Sequence, residues 1–202
     1  MKFTEQMLKN YSQPLSESEI EKCKNAIRMI RDTLKDNDFL DDSADINPFI
    51  EGTYSFGSIL RNKNNNRKVK LFLQGSFANN TNVRQKSDVD IAIILESTFL
   101  PKYRVGTSQI DYNHQDSTDS LYLFKTDIQK ILENKFGNDV ERKDKSIKIN
   151  GNTYRVDADT VPSMRFRDYT NDYNTLESNY IEGIVIYPDS GRIYYQLSWI
   201  TY

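Results

Sequence analysis

The sequence is poor in residues that form disulfides or zinc sites: it has one cysteine and one histidine among 202 residues. Cys23 has no second cysteine with which to form a disulfide, so a reducing cytoplasm is the expected compartment. A zinc site built from several histidines is excluded, and a Ser-His-Asp hydrolase would have to use His114, whose polar neighbours predict a surface position. Chemistry in this chain is therefore expected to depend on carboxylates.

Long hydrophobic runs are also missing. No apolar stretch approaches the ~20 residues that cross a bilayer, and the N-terminal sequence MKFTEQMLKNYSQPL lacks the unbroken apolar segment of a secretion signal. Apolar residues make up 37% of the chain and charged residues 28%, a mixture typical of globular proteins. We therefore expect no membrane partner.

The charge balance predicts no general attraction to nucleic acid, because the net charge is only -2. Such a partner would require a local patch. One basic run is available, and it comprises Arg61, Lys63, Arg67, Lys68 and Lys70. The run fits a solvated loop beside a strand or a surface for a phosphate backbone, and the sequence favours the first interpretation.

Two helices are predicted from apolar periodicity. Ser16 and Glu19 form a capping-box pattern, and the apolar stripe that follows predicts a helix over about residues 17–36. A second stripe predicts a helix from Ser117 to Phe136, and Gly137 is its expected stop.

Strands are predicted at Lys68–Gln74 and Val89–Leu95, which are rich in residues that suit a pleated sheet. Asn150-Gly151 indicates a hairpin between residues 146–149 and 153–161, and a second hairpin joins residues 181–187 to 191–197.

Residues 37–66 are expected to form loops with one short helix, and Phe56-Gly57-Ser58 within them is interpreted as a turn. The predicted fold class is α+β, with a mixed and mostly antiparallel sheet backed by helices.

The pattern Asp88-Val89-Asp90 begins the second of these strands. Because residues two apart in a strand point to one face, both carboxylates should face the same way, roughly 6.5–7 Å apart. Two such charges repel by roughly 3 kcal/mol at an effective dielectric near 20. A hard divalent cation such as Mg²⁺ would relieve this repulsion, although a pair of acidic residues alone is more often a solvated strand end.

Gly75-Ser76 strengthens the prediction of a site, since it directly follows the strand that ends at Gln74. A glycine there lets the backbone approach a phosphate, and Ser76 offers a hydroxyl and an N–H. A helix beginning near Phe77 would add a favourable dipole for the same anion. A phosphate cradle and a carboxylate pair are the two halves of a nucleoside triphosphate site.

These motifs resemble a known signature. Gln74-Gly75-Ser76, Asn80-Thr81, Ser87 and Asp88-Val89-Asp90 look like those of polymerase-β-type nucleotidyltransferases. The segment QGSFANNTNVRQKSDVDIAIIL is most similar to the cGAS/DncV-like nucleotidyltransferases (CD-NTases) of bacterial CBASS anti-phage systems. The resemblance extends over most of residues 15–195.

The resemblance implies a third carboxylate on a later strand, before a proline. Asp159-Thr160-Val161-Pro162 is similar to the family's D-V-V-P. Asp157 is the alternative because it should lie on the same face, but the spacing to Pro162 favours Asp159.

Several further expectations follow from the resemblance. Residues 1–202 would form the catalytic palm domain, and the C-terminal helical domain of relatives would be largely missing, so that the chain is truncated. Asp88, Asp90 and Asp159 would bind two Mg²⁺ ions, for which Mn²⁺ could substitute. The nucleotide-binding residues implied are Gln74, Gly75, Ser76, Thr81, Lys86 and Ser87. An exposed loop lysine is the alternative for Lys86.

The implied activity is the synthesis of cyclic di- or oligonucleotide second messengers from NTPs in anti-phage signalling. CBASS partner proteins are expected, and a nucleic-acid activator is not indicated. Two alternatives stay open: nucleotidyl transfer to RNA, a protein or a small molecule, which uses the same motifs, and a truncated, inactive nucleotide-binding module.

Overall fold

A mixed β-sheet with two long helices on one face forms the described part of the chain in a computed structural model. The structure describes Thr4 and residues 14–42, 56–79, 88–117, 119–176 and 179–197. The helices are α1 (Glu17–Asp36), α2 (Gly75–Ala78) and α3 (Leu121–Phe136). The strands are β1 (Phe39–Asp41), β2 (Gly57–Asn62), β3 (Lys68–Gln74), β4 (Val89–Lys102), β5 (Val140–Arg142), β6 (Ile147–Ile149), β7 (Ala158–Asp168), β8 (Ile181–Ile186) and β9 (Tyr194–Leu197).

The order of strands across the sheet is β1-β2-β3-β4-β7-β6-β5, and β8 pairs with the second half of β7 and with β9. Within the described ranges β4 and β7 form a parallel pair, whereas the other strand pairs are antiparallel. The long strands β4 and β7 therefore lie at the centre, where each is hydrogen-bonded on both sides. The predicted α+β class agrees with this architecture.

Helix α1 begins as the capping box predicts. The Ser16 hydroxyl accepts from the Glu19 N–H at 3.3 Å, and the Glu19 carboxylate accepts from the Ser16 N–H at 2.8 Å. Its apolar stripe is buried against the sheet through Cys23, Ile27, Ile30 and Leu34. Helix α3 begins at Leu121 rather than at Ser117, because Ser120 is the residue that caps it.

Four sequence predictions need correction. Strand β4 runs seven residues beyond Leu95, because β7 continues to pair with it past a register shift. Gly57 and Ser58 belong to β2 and not to a turn, since they pair with β3. Residues 37–66 accordingly contain strands β1 and β2, and their interval 43–55 lies outside the described residues. Helix α2 begins at Gly75, two residues before the predicted start.

The prediction of a tight hairpin at Asn150-Gly151 is also wrong in detail. Strands β6 and β7 are antiparallel, but Ile149 pairs with Ala158, so eight residues connect the two strands. Buried Arg155 organises this connection, as its guanidinium donates to the Asn150 carbonyl oxygen at 3.0 Å and to Asp139 at 2.6 Å. The predicted hairpin of β8 and β9 is present.

The two faces of the sheet have different surroundings. Alternate residues of β4, namely Val89, Ile91, Ile93 and Leu95, are fully buried in the core that α1 and α3 cover. The opposite face carries Asp90, Ala92 and Ile94, and there a second, much smaller apolar cluster forms with Phe72 and Ile184. The candidate site lies on this second face.

Candidate active site

Three polar side chains form one row across the centre of the sheet. Gln74 on β3 pairs with Asp90 on β4, and Asp90 pairs with Asp159 on β7. Paired residues on adjacent strands project to the same face, and such strands lie about 4.8 Å apart. The parallel β4–β7 pairing thus brings together two aspartates that are 69 positions apart in the sequence.

Asp88 adds a third carboxylate beside the row, two residues before Asp90 in the chain. It precedes β4 by one residue and is exposed, whereas Asp90 is half-buried. Burial, and then the negative charges of Asp88 and Asp159, raise the pKa of Asp90 above its ordinary value. Among the described residues no lysine or arginine forms an ion pair with these three carboxylates, so negative charge accumulates here.

Gly75 packs directly on the carboxylate of Asp90. A Cβ atom at this position would lie 2.0 Å from Oδ2 and 3.0 Å from Cγ of Asp90, and the backbone of Gly75 has φ +70. Both the close approach and the left-handed conformation therefore favour glycine. The sequence predicts a phosphate contact for this glycine, which stays a prediction, and the geometry adds a contact with the carboxylate.

Asp159 accepts a hydrogen bond from the Ser146 hydroxyl, with Oγ 3.0 Å from Oδ1. Both side chains are partly buried. Ser146 lies in the tight turn between β5 and β6, where the Lys143 N–H donates to the Ser146 carbonyl oxygen at 2.9 Å. No motif identified this serine, and only its position as the first residue of the predicted strand 146–149 could have suggested it.

Asp157, the alternative third carboxylate, has other partners. Its Oδ2 lies 2.6 Å from Nζ of Lys148, and its Oδ1 accepts from the Gly151 N–H at 2.7 Å. Lys148 chiefly lowers the pKa of Asp157, against the opposing effect of burial. Lys148 itself pairs with Asp159 in the sheet register, so its ammonium group borders the row of carboxylates. Sequence reasoning did not identify Lys148.

Other predicted site residues have different outcomes. Ser76 is half-buried in α2, the single helical turn that follows Gln74 and Gly75. Thr81, Lys86 and Ser87 lie outside the described residues. The assignment of nucleotide-binding roles to these positions stays a prediction.

A cavity of about 640 Å³ opens on the same face of the sheet, next to the row of carboxylates. Gln74 and Gly75 form one side of it, Phe72 and Ile94 contribute apolar surface, and the ion-paired Arg165 and Glu182 are on the other side. A volume in this range suits a small organic ligand.

The residues present fit a divalent cation by their chemistry. In this conformation no group of three His, Cys, Asp or Glu side chains within the described ranges is gathered closely enough to hold an ion. The row nevertheless offers carboxylate oxygens, the ligands that hard divalent cations prefer. Burial first, and then repulsion by Asp88 and Asp159, raises the pKa of Asp90, and a bound cation would offset both effects.

The basic run near residues 61–70 is largely neutralised. Aspartates pair with four of its five members: Arg61 and Lys68 with Asp42, Lys63 with Asp38, and Arg67 with Asp119 and Asp127. These ion pairs favour the interpretation as a solvated surface over a site for phosphate backbones.

His114 is not an isolated surface residue. Its Nδ1 lies 3.0 Å from the hydroxyl oxygen of Tyr103, and its ring packs edge-on against Phe99 with centroids 5.0 Å apart. The side chain belongs to an aromatic cluster, away from the row of carboxylates. In the part of the chain that the structure describes, no helix is long and apolar enough to span a membrane.

Comparison with known proteins agrees with this geometry. The family described as Nucleotidyltransferase domain matches residues 55–174, which include β2 to β7 and the three aspartates Asp88, Asp90 and Asp159. The chain belongs to this family. Members of the nucleotidyltransferase family generally use divalent metals.

One relative is the cyclic GMP-AMP synthase CdnE03 of Staphylococcus schleiferi, which is 46% identical over 193 residues, or 95% of this chain and 59% of the relative. The resemblance inferred from the motifs is thereby confirmed. The chain spans just over half the length of the curated relatives that it matches.

Solved structures give the same result for the fold. The Elizabethkingia meningoseptica CdnE cyclic dinucleotide synthase, solved with GTP and Apcpp, is 33% identical, with a TM-score of 0.58 over 97% of this chain and 55% of that chain. The Rhodothermus marinus CdnE c-UMP-AMP synthase is 24% identical with a TM-score of 0.67, over 97% of this chain and 57% of that chain. These similarities confirm the predicted palm-type fold.

Proposed function

We propose that this nucleotidyltransferase is the catalytic part of an enzyme that makes cyclic di- or oligonucleotides from NTPs. The supporting observation is the register of the central strands, in which Asp90 and Asp159 are direct partners beside Gly75. Relatives named as cyclic nucleotide synthases support the cyclic product over transfer to RNA, a protein or a small molecule.

The proposed roles follow from the positions of the side chains. Asp88 and Asp90 would hold two divalent ions, Mg²⁺ or Mn²⁺, and Asp159 would be a further ligand, serving the acceptor hydroxyl. When bound, such ions lower the pKa of a ribose hydroxyl and neutralise charge on the triphosphate and the departing pyrophosphate. Gln74, Gly75 and Ser76 hold phosphates.

Thr81, Lys86 and Ser87 are proposed to contact the triphosphate as well. For ring closure, the linear product turns in the site, its free ribose hydroxyl bonds to the α-phosphorus of its remaining triphosphate, and a second pyrophosphate leaves. The nucleotides occupy the cavity beside the row, where apolar and charged side chains are both available.

Anti-phage signalling in the bacterial cytoplasm, together with CBASS partner proteins, completes the proposal. Because the chain spans just over half of its curated relatives, the activity of the whole protein is part of the proposal.

The test is incubation of the chain with labelled NTPs and Mg²⁺ or Mn²⁺, followed by phosphatase treatment. A phosphatase-resistant small product that disappears in Asp88→Asn and persists in Asp32→Asn supports the proposal, since Asp32 is an exposed aspartate on α1. A labelled macromolecule in place of the small product would contradict cyclic nucleotide synthesis and indicate nucleotidyl transfer to another acceptor. Nucleotide binding without turnover, unchanged in Asp88→Asn, would indicate an inactive binding module.

A further inference from the structure

The turn that holds Asp159 is itself fixed by a buried lysine. Lys125 on α3 has a relative exposure of 1%. Its ammonium donates to the carbonyl oxygens of Lys143 at 3.0 Å and Asp144 at 2.7 Å, and it lies 3.2 Å from Oδ2 of Asp189. Three acceptors satisfy all three N–H bonds of the ammonium group. Burying a lysine is costly without such partners, so this arrangement has a specific structural role.

These contacts reach Asp159 through one short segment. Lys143 and Asp144 are the first two residues of the β5–β6 turn, and Ser146, which donates to Asp159, closes it. Lys125 therefore fixes the carbonyl oxygens at one end of a four-residue turn, and the serine hydroxyl at the other end contacts the carboxylate. The connection from the Lys125 ammonium to the Asp159 carboxylate runs through the backbone of the turn and the Ser146 hydroxyl. The Ser146 side chain is partly buried.

The turn between β8 and β9 is attached to the β5–β6 turn and to Lys125. The Asp189 N–H donates to the Asp144 carbonyl oxygen at 2.9 Å, and the Asp144 carboxylate accepts from the N–H of Ser190 at 2.8 Å. Arg142 makes two hydrogen bonds to Asp189, each 2.7 Å long. Arg142 first, and Lys125 after it, hold the pKa of Asp189 at about 2 against the opposing effect of burial. Asp189 is therefore charged at neutral pH, and the β8–β9 turn stays attached to the β5–β6 turn.

From these contacts we propose that Ser146 and Lys125 are positioning residues for the third carboxylate: Ser146 orients Asp159 towards a divalent cation, and Lys125 fixes the turn that carries Ser146. The inference rests on the proposed metal-dependent function. Hydrogen bonds to a ligating carboxylate restrict its orientation, and their loss typically weakens metal binding 10–100-fold.

The test measures Mn²⁺ affinity directly by electron paramagnetic resonance titration of the full 202-residue chain, with product formation assayed in parallel. Ser146→Ala is expected to weaken Mn²⁺ binding roughly 10-fold. Its matched control is Ser97→Ala, at an exposed serine on β4. Lys125→Met is expected to weaken binding to a similar degree, and Lys130→Met, at an exposed lysine on the same helix, should leave it unchanged.

The double variant separates positioning from independent effects. If Lys125 acts through Ser146, Lys125→Met should add little to the weakening in Ser146→Ala, because coupled residues are not additive. Fully additive losses would overturn the role of Lys125. If Lys125→Met does not fold, Lys125→Gln, which keeps two N–H donors, replaces it. If neither folds, Ser146→Ala alone decides the proposal.

The outcomes distinguish this inference from the proposed reaction. Wild-type Mn²⁺ affinity in Ser146→Ala overturns the inference, even if an Asp88-dependent cyclic product forms. Mn²⁺ binding that depends on Asp90 and Ser146, with no cyclic product, supports the inference and contradicts the proposed reaction. Absence of Asp90-dependent Mn²⁺ binding overturns the inference whatever the product assay gives.

Discussion

Gly75 and Asp90 are in contact across the first turn of α2, with no room for a side chain at position 75. A Cβ there would lie 2.0 Å from Oδ2 of Asp90. The backbone at Gly75, directly after β3, therefore packs against the Asp90 carboxylate and limits where it can lie. The Gly-Ser motif and the Asp-x-Asp motif, which are separate in the sequence, form one packed unit.

Gly75→Ala should displace the Asp90 carboxylate and reduce nucleotidyl transfer roughly 10²-fold, the effect of misplacing a catalytic group by about 1 Å. The left-handed backbone at position 75 adds a stability cost of about 1 kcal/mol. Product formation and thermal unfolding measure the two effects.

Gly57→Ala is the matched control, because a Cβ at Gly57 meets nothing within 4 Å. It should change neither transfer nor unfolding appreciably. Equal activity in the two alanine variants would contradict the assigned contact between Gly75 and Asp90.

Asp159 and Asp157 should differ sharply when each is changed to asparagine. Asp159→Asn removes a charge opposite Asp90 and should abolish metal-dependent transfer. Asp157→Asn breaks the ion pair with Lys148 and weakens the 150–157 connection, so it should lower stability and keep activity. Turnover and Mn²⁺ affinity of both variants test this difference, and loss of turnover in Asp157→Asn alone would reverse the assignment.

Asp90→Asn should stabilise the metal-free protein. Burial and neighbouring negative charges raise the pKa of Asp90 in the folded state, so ionisation at neutral pH opposes folding. Removing this charge should raise the melting temperature, and the rise should be small because solvent screens the exposed half of the side chain. Calorimetry in a chelating buffer measures the change.

The difference in melting temperature between Asp90→Asn and the wild type should shrink as the pH falls, because protonation of Asp90 relieves the same repulsion in the wild type. Added Mn²⁺ should stabilise the wild type and not Asp90→Asn. Asp32→Asn on α1 serves as the control and should respond to Mn²⁺ like the wild type. A metal-free Asp90→Asn variant less stable than the wild type at neutral pH would contradict the proposed charge repulsion.

Asp172 is expected to make stability depend on acid pH. Burial alone would raise its pKa, but hydrogen bonds from the Tyr112 hydroxyl, the N–H groups of Asn174 and Thr175, and the Asn179 amide lower it from 3.8 to about 2. Its contribution to stability is therefore complete above pH about 4 and is lost as the pH falls towards 2.

Asp172→Asn should accordingly lower the melting temperature at neutral pH, and its difference from the wild type should narrow below pH about 4. Melting curves of both proteins between pH 2 and 7 measure this. Asp32→Asn, with an exposed side chain, should show no such narrowing. A difference for Asp172→Asn that stays constant across the range would contradict the assigned hydrogen bonds.

Local patterns determined much of this protein. The capping box at Ser16, the strand Lys68–Gln74 and the order Gly75-Ser76 then Asp88-x-Asp90 are all readable over a few residues. Such features depend on backbone propensity, alternation and side-chain chemistry, which neighbouring residues are sufficient to set. The sequence also indicated nucleotidyl transfer, because its Gly-Ser and Asp-x-Asp motifs resemble the signature of nucleotidyltransferases.

Only the tertiary structure decided which distant residues meet. The parallel pairing of β4 with β7 brings Asp159 beside Asp90, and the partners of Asp157 are set by Lys148 and the loop at Gly151. Strand alternation assigns both aspartates to one face and cannot separate them. The extension of β4 past Leu95 and the contacts of Ser146 and Lys125 likewise depend on packing between elements far apart in the chain, which no local pattern encodes.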